Sequence, residues 1–66
     1  MKNSLKVERA IKDVTQEELA KIIGVSRQAI NSIELGKYVP STILALKLSR
    51  YFEKPLNDIF KLEETD

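Results

Sequence analysis

The sequence predicts an all-α domain of five short helices that share one small core. Apolar residues recur at helical spacing in successive segments. Thr15, Ser26 and Ser41 each stand where a side-chain oxygen can cap the helix that follows. The 66 residues can bury only about 60% of their unfolded surface, so we expect one domain over residues 1–66.

The first helix is predicted to run from a cap at Asn3 or Ser4 to about Lys12. Four apolar residues follow one another at helical spacing along this segment. The face that we expect to enter the core comprises Val7, Ala10, Ile11 and Val14.

The second helix is predicted over about residues 16–23. Thr15 and Glu18 have the spacing of a capping box, in which each side chain accepts a hydrogen bond from the other residue's backbone N–H. Gly24 can adopt the left-handed conformation that ends a helix. The residues expected on the inner face are Leu19, Ala20, Ile22 and Ile23.

The third helix is predicted over about residues 27–35, after a Ser26 cap, with Ile30 and Ile33 facing inward. This orientation leaves four polar residues on the outer side, namely Arg27, Gln28, Asn31 and Ser32. Arg can pair with guanine, Gln or Asn with adenine, and Ser with either kind of base in the major groove. A solvated helix face is the alternative explanation for the same residues.

The remaining segments predict two more helices and a strand. Gly36 ends the third helix, and Ser41 caps a fourth that continues to about Glu53. Pro55 is placed at the first position of a last helix that reaches Ile59. The fourth helix is apolar on most sides and is expected to be the central core element through Ile43, Leu44, Ala45, Leu46, Leu48, Tyr51 and Phe52.

The end of the chain, from Ile59 to Glu63, alternates apolar and polar residues as a strand does. A lone strand is unstable, and the segment 1–3 is the only spare partner, so we expect a small two-stranded antiparallel ribbon. Leu56, Phe60 and Leu62 would then either close the core or leave an apolar patch for a second copy.

The segment TQEELAKIIGVSRQAINSIELGK, residues 15–37, resembles the Xre/Cro/lambda-repressor-like helix-turn-helix regulators. The phrases VERAIKD before it and ALKLSRYF and PLNDIF after it also resemble that family, so the resemblance covers nearly the whole chain. It implies a five-helix lambda-repressor-like DNA-binding domain in which residues 16–23 form the positioning helix and 27–35 the recognition helix.

The resemblance also implies roles for individual residues. The expected base-reading residues are Arg27, Gln28, Asn31 and Ser32. The expected contacts to the DNA backbone come from Thr15, Gln16, Ser26, Lys37 and Tyr38. Arg9 is expected to form an ion pair with Glu34 that clamps the first helix to the third.

A homodimer follows from the mechanism that the resemblance implies. One recognition helix reads about four or five base pairs, and each good contact supplies roughly 1 to 3 kcal/mol of discrimination, too little to select one genomic site. Two copies related by a two-fold axis would read a palindrome in double-stranded DNA. The sequence therefore predicts a homodimeric transcriptional repressor.

The net charge of +1 is small, but the charges are unevenly distributed. Residues 20–51 carry five Lys or Arg against Glu34 alone, whereas residues 52–66 carry two Lys against five carboxylates. A positive field around the helix pair suits a nucleic-acid partner. A solvated surface of mixed sign fits these charges equally well.

Several classes of function are disfavoured. The chain has no Cys and no His, so we expect no disulfide, no metal site, no cofactor and no enzymatic activity. No sensor domain for a small molecule and no signal or membrane-spanning segment is expected, which predicts a cytoplasmic, nucleoid-associated protein. The main alternative function is a protein-interaction module, such as an antitoxin or adaptor, built on the same fold.

Overall fold

The computed structural model describes all 66 residues and contains five α-helices and a two-stranded ribbon. The elements in chain order are β1 Lys2–Asn3, α1 Leu5–Lys12, α2 Gln16–Ile23, α3 Arg27–Glu34, α4 Thr42–Phe52, α5 Leu56–Ile59 and β2 Phe60–Lys61. The strands are antiparallel, with Lys2 opposite Lys61 and Asn3 opposite Phe60, so the two ends of the chain lie together. The predicted fold class and terminal ribbon are confirmed.

Side-chain caps begin three of the helices as the sequence predicts. Thr15 and Glu18 form the complete capping box at α2, and the hydroxyls of Ser26 and Ser41 accept from backbone N–H groups in the first turns of α3 and α4. Gly24, with φ of 90°, ends α2 in the left-handed region, where a residue without Cβ meets no steric penalty.

Ser4 is the N-cap residue of the first helix, but the side-chain hydrogen bond at this end comes from Asn3. The Asn3 Oδ1 accepts from the Leu5 N–H at 3.1 Å, while the Asn3 Nδ2 donates to the Ile33 carbonyl at 2.7 Å. The Ser4 hydroxyl donates instead to the Asp58 carbonyl at 3.2 Å. Pro55 occupies the N-cap of α5, one residue before the predicted position, because the helix begins at Leu56.

One core holds all the elements together. Six of its side chains have essentially no exposed surface, namely Leu5, Leu19, Ile30, Ile33, Leu48 and Ile59. Around them pack Ala20, Ile23, Leu44, Phe52 and Phe60. Every element except β1 contributes to this cluster, so the positions of α2 and α3 depend on the whole fold.

The prediction for the inner face of α1 is wrong. Val7 and Ile11 are 58% and 68% exposed and Ala10 is also exposed, whereas Leu5 and Glu8 are buried. Successive residues of an α-helix are about 100° apart, so once Leu5 enters the core, Val7 points about 200° away from it. Only Val14, beyond the helix, is partly buried as expected.

Three further residues expected in the core lie on the surface. Ile22 is exposed although Leu19 and Ile23 beside it are buried. In α4 the buried residues are Leu44, Leu48 and Phe52, which follow one another every fourth residue. Ile43 and Leu46 lie on the opposite side of that helix and face solvent.

Candidate nucleic-acid interface

A tight corner at Gly24, Val25 and Ser26 joins α2 to α3. The N–H groups of Gly24 and Val25 both donate to the Ala20 carbonyl, at 2.8 Å and 3.0 Å, which closes the last turn of α2. Val25 packs partly buried against the core, and Ser26 then begins α3. The corner therefore fixes the angle at which α3 leaves α2.

The outer side of α3 presents the predicted base-reading residues. Arg27, Gln28 and Asn31 are exposed, whereas Ser32 is partly buried. The hydrogen bonds within the protein leave the side chains of Arg27 and Gln28 free. Both are in the first turn of the helix, so their donors and acceptors are open to another molecule.

Gln16 braces the recognition helix from α2. Its Nε2 donates to the Asn31 Oδ1 at 3.1 Å and to the Glu34 Oε1 at 3.2 Å. The side-chain oxygen Oδ1 of Asn31 is thus hydrogen-bonded within the protein, and the side-chain Nδ2 remains available as a donor. This hydrogen bond orients the Asn31 amide within the protein.

Arg9 and Glu34 form a bidentate ion pair between α1 and the last turn of α3. The Arg9 Nε lies 2.6 Å from Glu34 Oε2, and the Nη2 lies 3.1 Å from Oε1. The Arg9 Nη1 also donates to the Val14 carbonyl at 3.1 Å. The Glu34 side chain is only 6% exposed, and its hydrogen bond to Arg9 raises the pKa of that guanidinium above its ordinary value.

The first turn of α2 shares a polar cleft with Arg27. Thr15 and Gln16 line this cleft together with two carboxylates, those of Asp13 and Glu17. The Thr15 backbone N–H donates to the Glu18 carboxylate, which is the main reason that the pKa of that carboxyl lies below its usual range, and the Glu18 N–H donates to the Thr15 hydroxyl. The Thr15 hydroxyl accepts in this box and keeps its own hydrogen available.

The loop after α3 is folded against the end of that helix. The N–H groups of Lys37 and Tyr38 both donate to the Ser32 carbonyl, at 2.9 Å and 3.3 Å, and both side chains are exposed. The Ser26 hydroxyl accepts from the Ala29 N–H at 3.1 Å at the other end of α3. Residues expected to touch the DNA backbone therefore lie at both ends of the helix that carries the residues expected to read bases.

An apolar groove lies beside this loop, formed by the start of α4, α5 and β2. It encloses about 440 Å³, and its apolar residues are Met1, Val39, Pro40, Ala45, Leu56, Phe60 and Leu62. Phe60 is buried in the core, Leu56 is partly buried, and Leu62 is 82% exposed. The three residues considered for a dimer interface thus divide between closing the core and leaving a patch.

Sequence reasoning missed Val39 and Ala45 as groove residues. Several of their neighbours in the groove come from distant segments of the chain, so no local pattern signals them.

No helix of the structure combines the length and the apolar character needed to cross a membrane.

Two helices joined by a tight corner, with an exposed polar second helix, define a helix-turn-helix domain. A family model described as "Helix-turn-helix" matches residues 5–59, so the chain belongs to the helix-turn-helix family of transcriptional regulators. Its similarity to the Xre/Cro group, expected from residues 15–37, is in accord with this match.

Two relatives carry the same description over almost the whole chain. An uncharacterized HTH-type transcriptional regulator of Methanocaldococcus jannaschii is 52% identical over 66 residues, which cover 100% of both chains. The uncharacterized HTH-type transcriptional regulator YgzD of Bacillus subtilis is 47% identical over 64 residues, 97% of each chain.

A solved structure shares the fold. The solution structure of the SOS-response transcriptional repressor LexA from Eubacterium rectale superposes with a TM-score of 0.80 at 31% sequence identity. The match covers 94% of this chain and 66% of that one.

Proposed function

We propose that the protein is a sequence-specific regulator of transcription that binds double-stranded DNA as a homodimer and represses. The observation that carries this proposal is the exposed first turn of α3, where Arg27 and Gln28 have no partner within the protein. These side chains are the types that read base edges in the major groove, through guanine for Arg and adenine for Gln.

The bracing of α3 supports base reading because preorganisation lowers the cost of binding. Gln16 holds Asn31, and Arg9 holds Glu34 at the other end of the same helix. The Asn31 Nδ2 and the Ser32 hydroxyl then extend the reading surface one turn beyond Gln28. A helix held in this way meets the groove in one orientation, which favours discrimination among sequences.

Contacts to phosphate would anchor the helix at both ends. The hydroxyls of Thr15 and Ser26 and the amide of Gln16 are donors near the start of α2 and α3, where helix N-termini also attract anions. At the C-terminal end of α3, Lys37 and the Tyr38 hydroxyl would contact phosphate. The carboxylates of Asp13 and Glu17 in the cleft beside Arg27 oppose phosphate and favour a modest number of contacts.

The apolar groove supports a dimer. Leu62 projects almost fully exposed at its edge, and a two-fold arrangement would let Leu62 of each copy enter the groove of the other beside Leu56 and Val39. The groove adjoins the loop that follows α3, so this pairing would set two recognition helices on the same side of the dimer. Such a dimer reads an inverted repeat.

A repressor role fits a helix-turn-helix domain, because a bound domain can occlude a promoter. LexA, whose structure shares the fold, is a transcriptional repressor, and two relatives are HTH-type transcriptional regulators. The site of action is the nucleoid in the cytoplasm, where chromosomal DNA lies.

Selection of bound duplexes from a random DNA pool at near-physiological salt tests this proposal, with the mass of the protein in solution measured alongside. We expect enrichment of an inverted repeat and the mass of a dimer. Absence of any enriched sequence, with binding that vanishes as salt rises, would overturn base reading and favour an interaction module of the antitoxin or adaptor kind.

A further inference from the structure

A second exposed surface lies between α2 and α4. Ile22, Lys47, Arg50 and Tyr51 line a cleft of about 270 Å³ there, together with the buried Ile23. None of these residues belongs to α3 or to the loop that follows it. We call this surface, with the adjoining Leu46, the α2–α4 face.

Further apolar residues lie on the side of α4 that carries Lys47 and Arg50. Ile43, Leu46, Lys47 and Arg50 are spaced by three, one and three residues, so they share the side of α4 opposite its buried residues. Ile22 and Leu46 are 53% and 52% exposed, and Ile43 is more so. Single exposed aliphatic side chains are ordinary, and these three matter here because they come from two packed helices and accompany unpaired cations.

The charged part of the face is basic and unpaired. All salt bridges of the molecule use the Met1 amine, Arg9 or Lys54, so Lys47 and Arg50 have no carboxylate partner. Lys12 adds a third cation, with its Nζ 4.5 Å from the centre of the Tyr51 ring. The carboxylate of Glu18, one turn before Ile22 on α2, is held by the Thr15 backbone.

We propose that the α2–α4 face binds an acidic amphipathic helix of a partner protein. Aliphatic side chains flanked by unpaired cations suit a helix with Leu-like residues on one side and carboxylates beside them. Phosphate would satisfy the cations but would leave Ile22 and Leu46 in water. Because the face excludes α3, the partner and DNA can be bound together.

The probe is a synthetic amphipathic peptide of about 18 residues, roughly five helical turns, with Leu along one side and Glu elsewhere. A peptide with Lys in place of every Glu is its control. Titration into the isotope-labelled full chain should shift backbone resonances near residues 21–23 and 43–51 and leave those of α3 unchanged. The Lys peptide should produce no saturable shift.

Charge reversal tests the same face from the protein side. Lys47→Glu with Arg50→Glu should weaken binding of the acidic peptide about tenfold or more, because like charges then meet across the interface. The matched control is Lys2→Glu with Lys6→Glu, which makes the same change in net charge at exposed positions outside the face. Its affinity for the peptide should stay well above that of the first variant.

Several results would overturn the proposal. They are absence of saturable binding, equal binding of the Lys peptide, shifts centred on α3 or the apolar groove, and self-association through the α2–α4 face without peptide. A larger loss of DNA affinity in the Lys47 and Arg50 variant than in its control would also overturn it, by assigning the face to phosphate. Failure of the DNA selection leaves these outcomes unchanged, so the two proposals fail separately.

Discussion

Glu34 joins three helices through its single carboxylate. It accepts two hydrogen bonds from Arg9 of α1 and one from Gln16 of α2, while its own backbone ends α3. Both oxygens are engaged and the side chain is nearly buried. The pair positions the recognition helix, although a buried ion pair by itself contributes little net stability.

Replacing Glu34 with Ala should destabilise the fold by about 3 kcal/mol, because the Arg9 guanidinium then loses its carboxylate while it stays largely buried. Chemical denaturation measures this loss. The double variant Arg9→Ala with Glu34→Ala should lose clearly less than the sum of the two single variants. Additive losses would show that the pair does not act as a unit.

Gln28 and Lys37 should have different effects on DNA binding. Gln28→Ala should relax preference at one base pair in each half-site and cost about 1 to 3 kcal/mol on the preferred sequence. Lys37→Ala should weaken all sequences alike and lower the salt slope by about one. Titrations of preferred and random duplexes at several salt concentrations measure both effects.

The exposed Lys6 of α1 supplies a control for Lys37, since Lys6→Ala removes the same charge outside α3 and the loop that follows it. It should leave the salt slope nearly unchanged. If the Gln28 and Lys37 variants behaved identically on preferred and random DNA, the division into reading and anchoring residues would be wrong.

At the scale of the elements, the stability of each helix depends strongly on how its ends are capped. Each helix of this chain has at most 11 residues, too few to be stable alone, so capping and packing have to act together. Asp13 and Glu53 end α1 and α4 in the left-handed region, with φ of 55° and 54°. Neither residue is glycine, so neither end could be read from the usual glycine signal.

The capping box of α2 should make stability depend on pH. Hydrogen bonds from Thr15 hold the folded-state pKa of Glu18 below its usual value of 4.5. The lowered pKa adds stability that is fully present above pH 4.5 and is lost as the pH falls through the folded-state pKa. Glu18→Gln keeps the hydrogen-bond acceptor without the charge.

Thermal unfolding of the wild type and Glu18→Gln should therefore differ at neutral pH, with the wild type more stable, and converge in acid. Other carboxylates with lowered pKa values, such as Asp66, are common to both proteins and cancel in the comparison. A difference that stays constant from neutral to acidic pH would contradict this account of the box.

At the scale of the whole molecule, the apolar groove is the place where apolar side chains are not fully covered by the core. Phe60 closes the core from the ribbon, and Leu62, two residues later on the same side of the strand pattern, reaches solvent. Of the two apolar residues that alternate with Lys61, Phe60 therefore lies inside the monomer and Leu62 lies on its surface. The proposed dimer rests on this division.

Leu62→Asp should shift the protein from dimer to monomer, because a carboxylate would replace an apolar side chain in the paired grooves. Sedimentation or light scattering measures the mass. The matched control is Ile11→Asp, which places the same charge on an exposed aliphatic position of α1 and should leave the dimer intact. A dimer that persists in the Leu62 variant would place the interface elsewhere.

Much of the fold was predictable because local chemistry specifies it. The capping box, the Ser26 and Ser41 caps and the left-handed Gly24 each depend on residues within four positions of one another. The polar outer side of α3 followed in the same way from the inward direction of Ile30 and Ile33. The DNA-contact residues themselves stay predictions, since their roles come from the resemblance.

The inner faces of α1 and α4 were less predictable. Val7, Ile11 and Ile43 have the composition of a core face, yet they lie on the surface. Leu5 and Glu8 are the buried residues of α1, and in α4 only Leu44, Leu48 and Phe52 of the predicted set are buried. A short helix turns about its axis as one body, so its orientation is set by the residues that make the most favourable buried contacts. Glu8, buried beside Lys54 at 2.9 Å, is an anchor that no apolar pattern could reveal.

The sequence by itself determined the number, order and ends of most helices, and the outward direction of Arg27 and Gln28, because caps and helical periodicity act over a few residues. The family resemblance implied the Arg9–Glu34 pair, but only the tertiary structure decided that Phe60 would enter the core and that Val39 and Leu62 would share a groove. Those contacts join segments distant in the chain, and packing of the complete core sets the distances between them.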